Sequence, residues 1–290
     1  MSAPTLLFDV KMSLLPSVFA ELTKYPTPMF SIGDFEVNNS MISAAIVTII
    51  IIAVVQAAMR APKLIPTGLQ NFVEWLVEVM SNFLEGITGR ETMQRGFWYF
   101  GSVFVFIFLG NLLGLIPGVG TFGFGHGTTI WNFEVDRPFL RGANANDNLT
   151  AAYTAIFFFM WFYWCIRQIG LGGLLKHIFG SQVHFPYQIV NVLFVIIFFL
   201  VGWVEVASIL VIRPIAFTFR LYGNIFGGEY MLDSIYKMNP NIGFITLIPC
   251  YFYETLVAFV QAFVFFVLTA VFTGVYTNTD AHSTKTASNH

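Results

Sequence analysis

The chain has 290 residues, of which 56% are hydrophobic, 18% aromatic and only 10% charged. Soluble domains carry about 25% charged residues, so this composition describes a polytopic membrane protein. A net charge of −2 is too small to imply a nucleic-acid or acidic partner.

Residues 1–40 contain a short apolar stretch, broken by Pro16 and without a basic leader, so no cleavable signal is expected. Phe8, Leu14, Leu15, Val18 and Phe19 suit an outer, interfacial segment, and a solvent-exposed tail is the alternative. Residues 41–59 form an apolar run of the length that spans a bilayer, about 20 residues. The run stops at the basic breaker Arg60, Pro62, Lys63 and Pro66. In residues 67–88, Leu69, Phe72, Val73, Leu76, Met80, Phe83, Leu84 and Ile87 recur at helical spacing. Gln70, Glu74, Glu78, Asn82 and Glu85 fill the other side, which predicts an amphipathic surface helix ending at Gly89.

Residues 97–117 are the second span, with Asn111 as their one amide. Residues 118–148 read as a long Gly- and aromatic-rich connection; Asn144, Asn146, Asp147 and Asn148 can form a polar mouth, or Asn148 can cap the next helix. Residues 149–169 are the third span and residues 170–186 a turn. Residues 187–237 are far longer than one perpendicular crossing; Pro214 can kink a helix without ending it, so one long helix is expected. Asn239-Pro240-Asn241 is a turn, residues 242–276 a last long helix and residues 277–290 a polar tail. Seven cations (Arg60, Lys63, Arg90, Arg95, Arg167, Lys176, Lys285) fall on one side of these spans and five (Lys11, Lys24, Arg137, Arg141, Lys237) on the other. By the positive-inside rule the N-terminus is outside and the C-terminus cytoplasmic. Cys165 and Cys250 both lie in apolar segments and read as buried thiols.

The stretch 212–233, IRPIAFTFRLYGNIFGGEYMLD, is apolar yet holds Arg213, Arg220, Asn224, Glu229 and Asp233. An arginine at mid-membrane costs about 2.5–3.5 kcal/mol on insertion scales, which marks the stretch as functional. At about 100° per residue, Arg213 and Arg220 are nearly eclipsed, and Glu229 falls on the opposite face. In the final helix Glu254 and Gln261 are seven apart on one face. No nucleotide loop, nucleophile with a paired base or metal-ligand spacing is recognisable, so neither a catalytic site nor a cofactor is expected.

The pattern from Arg213-Pro214 through Arg220-Leu221-Tyr222-Gly223-Asn224 to Gly228-Glu229 resembles subunit a of bacterial-type F-type ATP synthases, as do GNLLGLIPG around Asn111 and VQAFVFFVLTAVF around Gln261. The resemblance implies an all-α membrane protein with about five membrane helices and one surface helix, the last two long, tilted and paired as a hairpin against the rotating c-ring. It implies a non-catalytic stator with two offset half-channels in the bacterial inner membrane, with c-ring subunits, peripheral-stalk b subunits and membrane lipid as partners. H⁺, or Na⁺, is the transported ion. Arg220, Glu229, Glu254, Asn224, Gln261 and Asn111 are then the translocation residues, and Glu205, Ser208, Asp233 and Asp147 further channel-lining candidates. Relatives often carry the Glu one position nearer to the first Arg than Glu205 stands. The competing class is a stand-alone secondary transporter or channel; such proteins often show internal repeats, and residues 41–169 show none with 187–276.

Overall fold

The computed structural model describes residues 28–32, 35–116, 123–126, 134–180, 188–238 and 243–277. The expectations for residues 1–27, for the Asn239-Pro240-Asn241 turn and for the tail beyond Thr277 lie outside the described residues. Two antiparallel strand pairs, β1 (Pro28–Ile32) with β2 (Phe35–Asn38) and β3 (Gly123–His126) with β4 (Glu134–Pro138), accompany an otherwise helical chain. The helices are α1 (Asn39–Met59), α2 (Leu69–Thr88), α3 (Arg90–Leu115), α4 (Asp147–Phe179), α5 (Gln188–Ala207), α6 (Arg213–Met238) and α7 (Gly243–Thr277). Five helical stretches are long and apolar enough to cross a membrane: Asn39–Met59, Arg90–Leu115, Asp147–Phe179, Phe194–Leu232 and Ile245–Tyr276. The amphipathic α2 is not among them. The fold is therefore an all-α polytopic membrane protein.

Several boundaries differ from the sequence expectation for local reasons. Between α2 and α3 stands a single residue, Gly89, at φ +78°. Its N–H donates to Glu85 O and its carbonyl accepts from Met93 N–H, so the chain turns without a loop and α3 begins at Arg90 rather than near Phe97. The expected turn at 170–186 is helical as far as Phe179. Gly170 (φ +73°, ψ 164°) divides α4 there into two helical parts, a backbone geometry glycine adopts without a Cβ clash. The connection 118–148 is not structureless, since β3 and β4 pair within it.

Residues 188–238 run as one uninterrupted helical stretch, α5 into α6, with five π-helical residues, Ser208–Ile212, between them. The Arg213 N–H donates to Ser208 O, five residues back. A π turn holds one residue more than an α turn. Pro214, which has no N–H to give, follows at once in the first turn of α6.

The chain divides into two compact units. One comprises residues up to Val73, Val103–Thr150 and Leu221–Val264; the other comprises Glu74–Ser102, Ala151–Arg220 and the residues from Phe265. In the first unit the Phe259 ring meets Phe104 and Phe108 edge-to-face at 6.3 and 5.7 Å, beside fully buried Ile107 and Ala258. The second unit is held by rings: Phe157, Phe217 and Phe265 lie 5.5–6.4 Å apart, and Phe100 meets both Trp164 and Phe266. Such pairs add about 0.5–1.5 kcal/mol each beyond their buried area. Cys165 is buried, Cys250 is half-buried, and both are free thiols.

Candidate functional site: two buried polar clusters

In the first unit, the residues after β4 return to the helices rather than staying at a surface. Arg141, Gly142, the 3₁₀ turn Ala143–Ala145 and Asn146 are all buried. The Arg141 N–H donates to Ser43 Oγ on α1 (3.2 Å). Its Nε donates to Glu229 Oε2 on α6 at 3.4 Å, an ion pair whose members are only 6% and 13% exposed. Buried carboxylates and guanidinium groups are tolerated in such surroundings when paired.

Two glycines shape the space around that carboxylate. A Cβ at position 142 would stand 2.7 Å from Glu229 Oε1, and one at position 114 would stand 2.7 Å from Gly142 Cα. On the same helix, a Cβ at Gly228 would overlap the Glu254 carboxylate. The missing side chain at 228 therefore lets Glu254, 4% exposed on α7, lie against α6 one residue before Glu229. Asn111 donates its amide to Ala258 O (3.2 Å), and its Oδ1 accepts from Asn144 Nδ2, which also reaches Ile107 O (3.1 Å). Asn144 Oδ1 is buried with no hydrogen-bond partner among the described residues. The cluster thus joins an amide ladder to two carboxylates and one arginine. Gly142→Ala is expected to push the Glu229 carboxylate off Arg141 and to destabilise the protein by about 1–3 kcal/mol, the usual cost of overpacking a tight site, which a lowered midpoint of thermal unfolding measures.

The helix cap before α4 differs from the sequence expectation. Asn146 Oδ1 accepts the Asn148 N–H (3.0 Å), so Asn146 is the cap and Asn148 lies inside the helix. Asp147 is exposed and accepts the same N–H (2.9 Å).

In the second unit, Glu205 Oε1 on α5 accepts from Arg213 Nη2 (2.8 Å) and from the Tyr276 hydroxyl (2.6 Å). The Arg213 guanidinium lies 4.3 Å from the centre of the Phe272 ring, and the His177 and Trp161 rings stand 5.0 and 5.1 Å from that of Tyr276. Eight residues separate Glu205 from Arg213, about 80° out of phase on a pure α-helix. The π turn takes up one of them, leaving the phase of a seven-residue interval, and the two side chains meet. Ser208, half-buried, opens that turn.

Arg220 is exposed. Its guanidinium lies 6.0 Å from the Phe217 ring and, among the described residues, makes no hydrogen bond or ion pair. Ala216, Phe219, Gly223, Gly227 and Tyr230 are exposed at helical spacing around it. Asn224 and Gln261 are half-buried and form no hydrogen bond among the described residues. The Asp233 side chain lies outside the described residues. Sequence reasoning missed Arg141 and Tyr276 as members of these clusters: a cation in a loop and one aromatic residue among many carry no signal of their own.

Residues 40–274 match the family described as ATP synthase A chain. The chain is 30% identical to an ATP synthase subunit a of Solidesulfovibrio magneticus over 81% of its own length and 83% of the relative's. It is 30% identical to one of Sulfurihydrogenibium sp., covering 81% and 95%, and 25% identical to one of Moorella thermoacetica, covering 85% and 94%. With the match running from the first membrane helix into the last, the chain belongs to the ATP synthase A chain family, the proton-channel subunit of the Fo membrane sector.

Proposed function

We propose that the two buried clusters are the protein walls of two offset half-channels and that Arg220 is the barrier between them. The observation that carries this reading is the sorting of charge. Arg141, Glu229 and Glu254 gather in one unit, Glu205 and Arg213 pair in the other, and Arg220 pairs with no described residue. An arginine left bare on an apolar helix face is costly in a bilayer, so its partner belongs to another subunit, a carboxylate of the adjacent c-ring.

Protons enter from outside along Glu229, Glu254 and Asn111, with Asn144 Oδ1 as an additional acceptor and Asp233 nearer the helix end. The c-ring carboxylate accepts one proton, becomes neutral and turns into lipid. After nearly a full rotation it meets the path at Glu205 and Ser208 and releases that proton to the cytoplasm. Arg220, a guanidinium cation, stabilises the ionised carboxylate and repels a proton on a direct route. Asn224 and Gln261 solvate the guanidinium during this exchange, and Asp147 lies at the outer mouth. The membrane potential supplies about 2.3 kcal/mol per charge per 100 mV. The subunit performs no covalent chemistry beyond proton transfer and works beside the c-ring and the peripheral-stalk b subunits in a bacterial plasma membrane. The surroundings of the ring carboxylate decide between H⁺ and Na⁺, and pumping with and without sodium distinguishes them. The N-terminus is outside and the C-terminus cytoplasmic, a reading that rests on the distribution of Lys and Arg between the two sides of the spans.

Accessibility tests the offset. With Cys165 and Cys250 replaced by serine, Ser208→Cys in the intact complex should react with a membrane-impermeant thiol reagent added on the cytoplasmic side only. Asn144→Cys should react only from the outer side. Labelling of both from one side would overturn the arrangement.

A further inference from the structure

A separate cavity of about 630 Å³ lies in the second unit between the start of α3 and the middle of α4. Thr92, Arg95 and Trp98 line one wall, and Tyr163, Arg167 and Gln168 the other. Two arginines face it. Arg95 pairs with Glu91 at 2.8 Å, but both side chains are largely exposed, so the pair is weak and Arg95 remains free to reorient. Arg167 Nη1 donates to the Tyr163 hydroxyl (2.6 Å), leaving that hydroxyl its own proton to donate. Gln168 Nε2 reaches Thr92 Oγ1 (3.5 Å), whereas Gln168 Oε1 is buried and accepts no hydrogen bond among the described residues. Of the rings lining this polar patch, Trp98 and Tyr163 are 62% and 48% exposed, an aromatic rim suited to acyl chains and the bilayer interface.

We propose that this cavity binds the headgroup of an anionic glycerophospholipid with a hydroxylated headgroup, the phosphatidylglycerol class. Arg95, Arg167 and the Tyr163 hydroxyl take the phosphodiester, and Gln168 Oε1 accepts a headgroup hydroxyl. The chemistry sets the choice. Two guanidinium groups call for an anion, the buried amide oxygen calls for a hydroxyl donor, and the exposed rings call for hydrocarbon, which free phosphate lacks. Basic pockets between membrane helices recognise lipid headgroups in this way.

The test uses the intact complex reconstituted in vesicles with phosphatidylglycerol or phosphatidylcholine carrying a photoactivatable diazirine near the headgroup, followed by peptide mapping. Phosphatidylglycerol should label residues 92–98 and 160–168 in preference to phosphatidylcholine. Arg95→Gln and Arg167→Gln should each lower that labelling about fivefold, the worth of one cation near a charged lipid surface. Arg167→Lys should retain most of it. Equal labelling by both lipids, displacement by excess inorganic phosphate, or labelling only after the peripheral stalk is stripped would each overturn the proposal. If a glutamine variant fails to assemble, the comparison of the two lipids on the unmodified complex decides it. Proton pumping by the variants is not the readout, so failure here leaves the half-channel reading standing.

Discussion

Arg220→Ala is expected to lower both ATP synthesis and ATP-driven proton pumping about 100- to 1000-fold, the loss seen when a preorganised charge-stabilising group is removed from a water-excluded site. The argument begins with position. Arg220 stands on the exposed face of α6 with no described partner, so removing it leaves no buried group of this chain unpaired. The subunit should therefore still insert and co-purify with the c-ring, which separates a loss of mechanism from a loss of structure. On the proposed mechanism, the ionised ring carboxylate then lacks its counter-ion and the barrier between the two paths is lowered. Passive proton flux through membranes stripped of the catalytic head should then no longer depend on rotation. Arg220→Lys keeps the charge but presents it as a compact, strongly hydrated point without the planar fork, so it should retain the barrier better than it retains turnover. Normal pumping by Arg220→Ala would sink the proposed role.

The second large effect is expected at Arg141. Arg141→Gln leaves Glu229 buried opposite a neutral amide, and breaking a buried pair by removing one partner costs about 3–5 kcal/mol. The complex should lose thermal stability, and the amount of subunit in the membrane should fall. Arg141→Gln combined with Glu229→Gln replaces the ion pair with two neutral amides, so most of the stability should return. Pumping should stay low in the double variant, because the carboxylate proposed to carry the proton is gone. Thermal inactivation of the complex, measured beside pumping across the double-mutant cycle, checks both parts. If the two single variants are additive, the contact does not matter energetically.

These two arginines also show what the sequence makes legible. Arg220, Glu229, Glu254 and Asn111 stand out because ionisable and amide groups are rare in apolar runs, and rarity there is informative. Arg141 lies in a loop, where a cation is ordinary; only the return of residues 141–146 into the helices makes it an interior charge. Tyr276 is one aromatic residue in a chain that is 18% aromatic, so its hydrogen bond to Glu205 has no sequence signature. The pairing of Glu205 with Arg213 is not legible by counting alone, since an eight-residue interval brings the two side chains together only because the π turn at Ser208–Ile212 absorbs one residue. The membrane helices were readable from hydropathy and length. The weak points were Gly89 and Gly170, where a single positive φ replaces a loop or divides a helix, and the short strands of residues 123–138, which are too brief for a periodic signal.

The buried pair between Arg141 and Glu229 also bears on biogenesis. The two partners are separated by 88 positions along the chain. As the polypeptide emerges from the ribosome, α1 to α4 are available for membrane integration while Glu229 has yet to be made. A fragment released before α6 therefore holds an interior arginine with no acid to neutralise it, so truncations ending near residue 200 should be cleared by membrane proteases, and Arg141→Gln should prolong their lifetime.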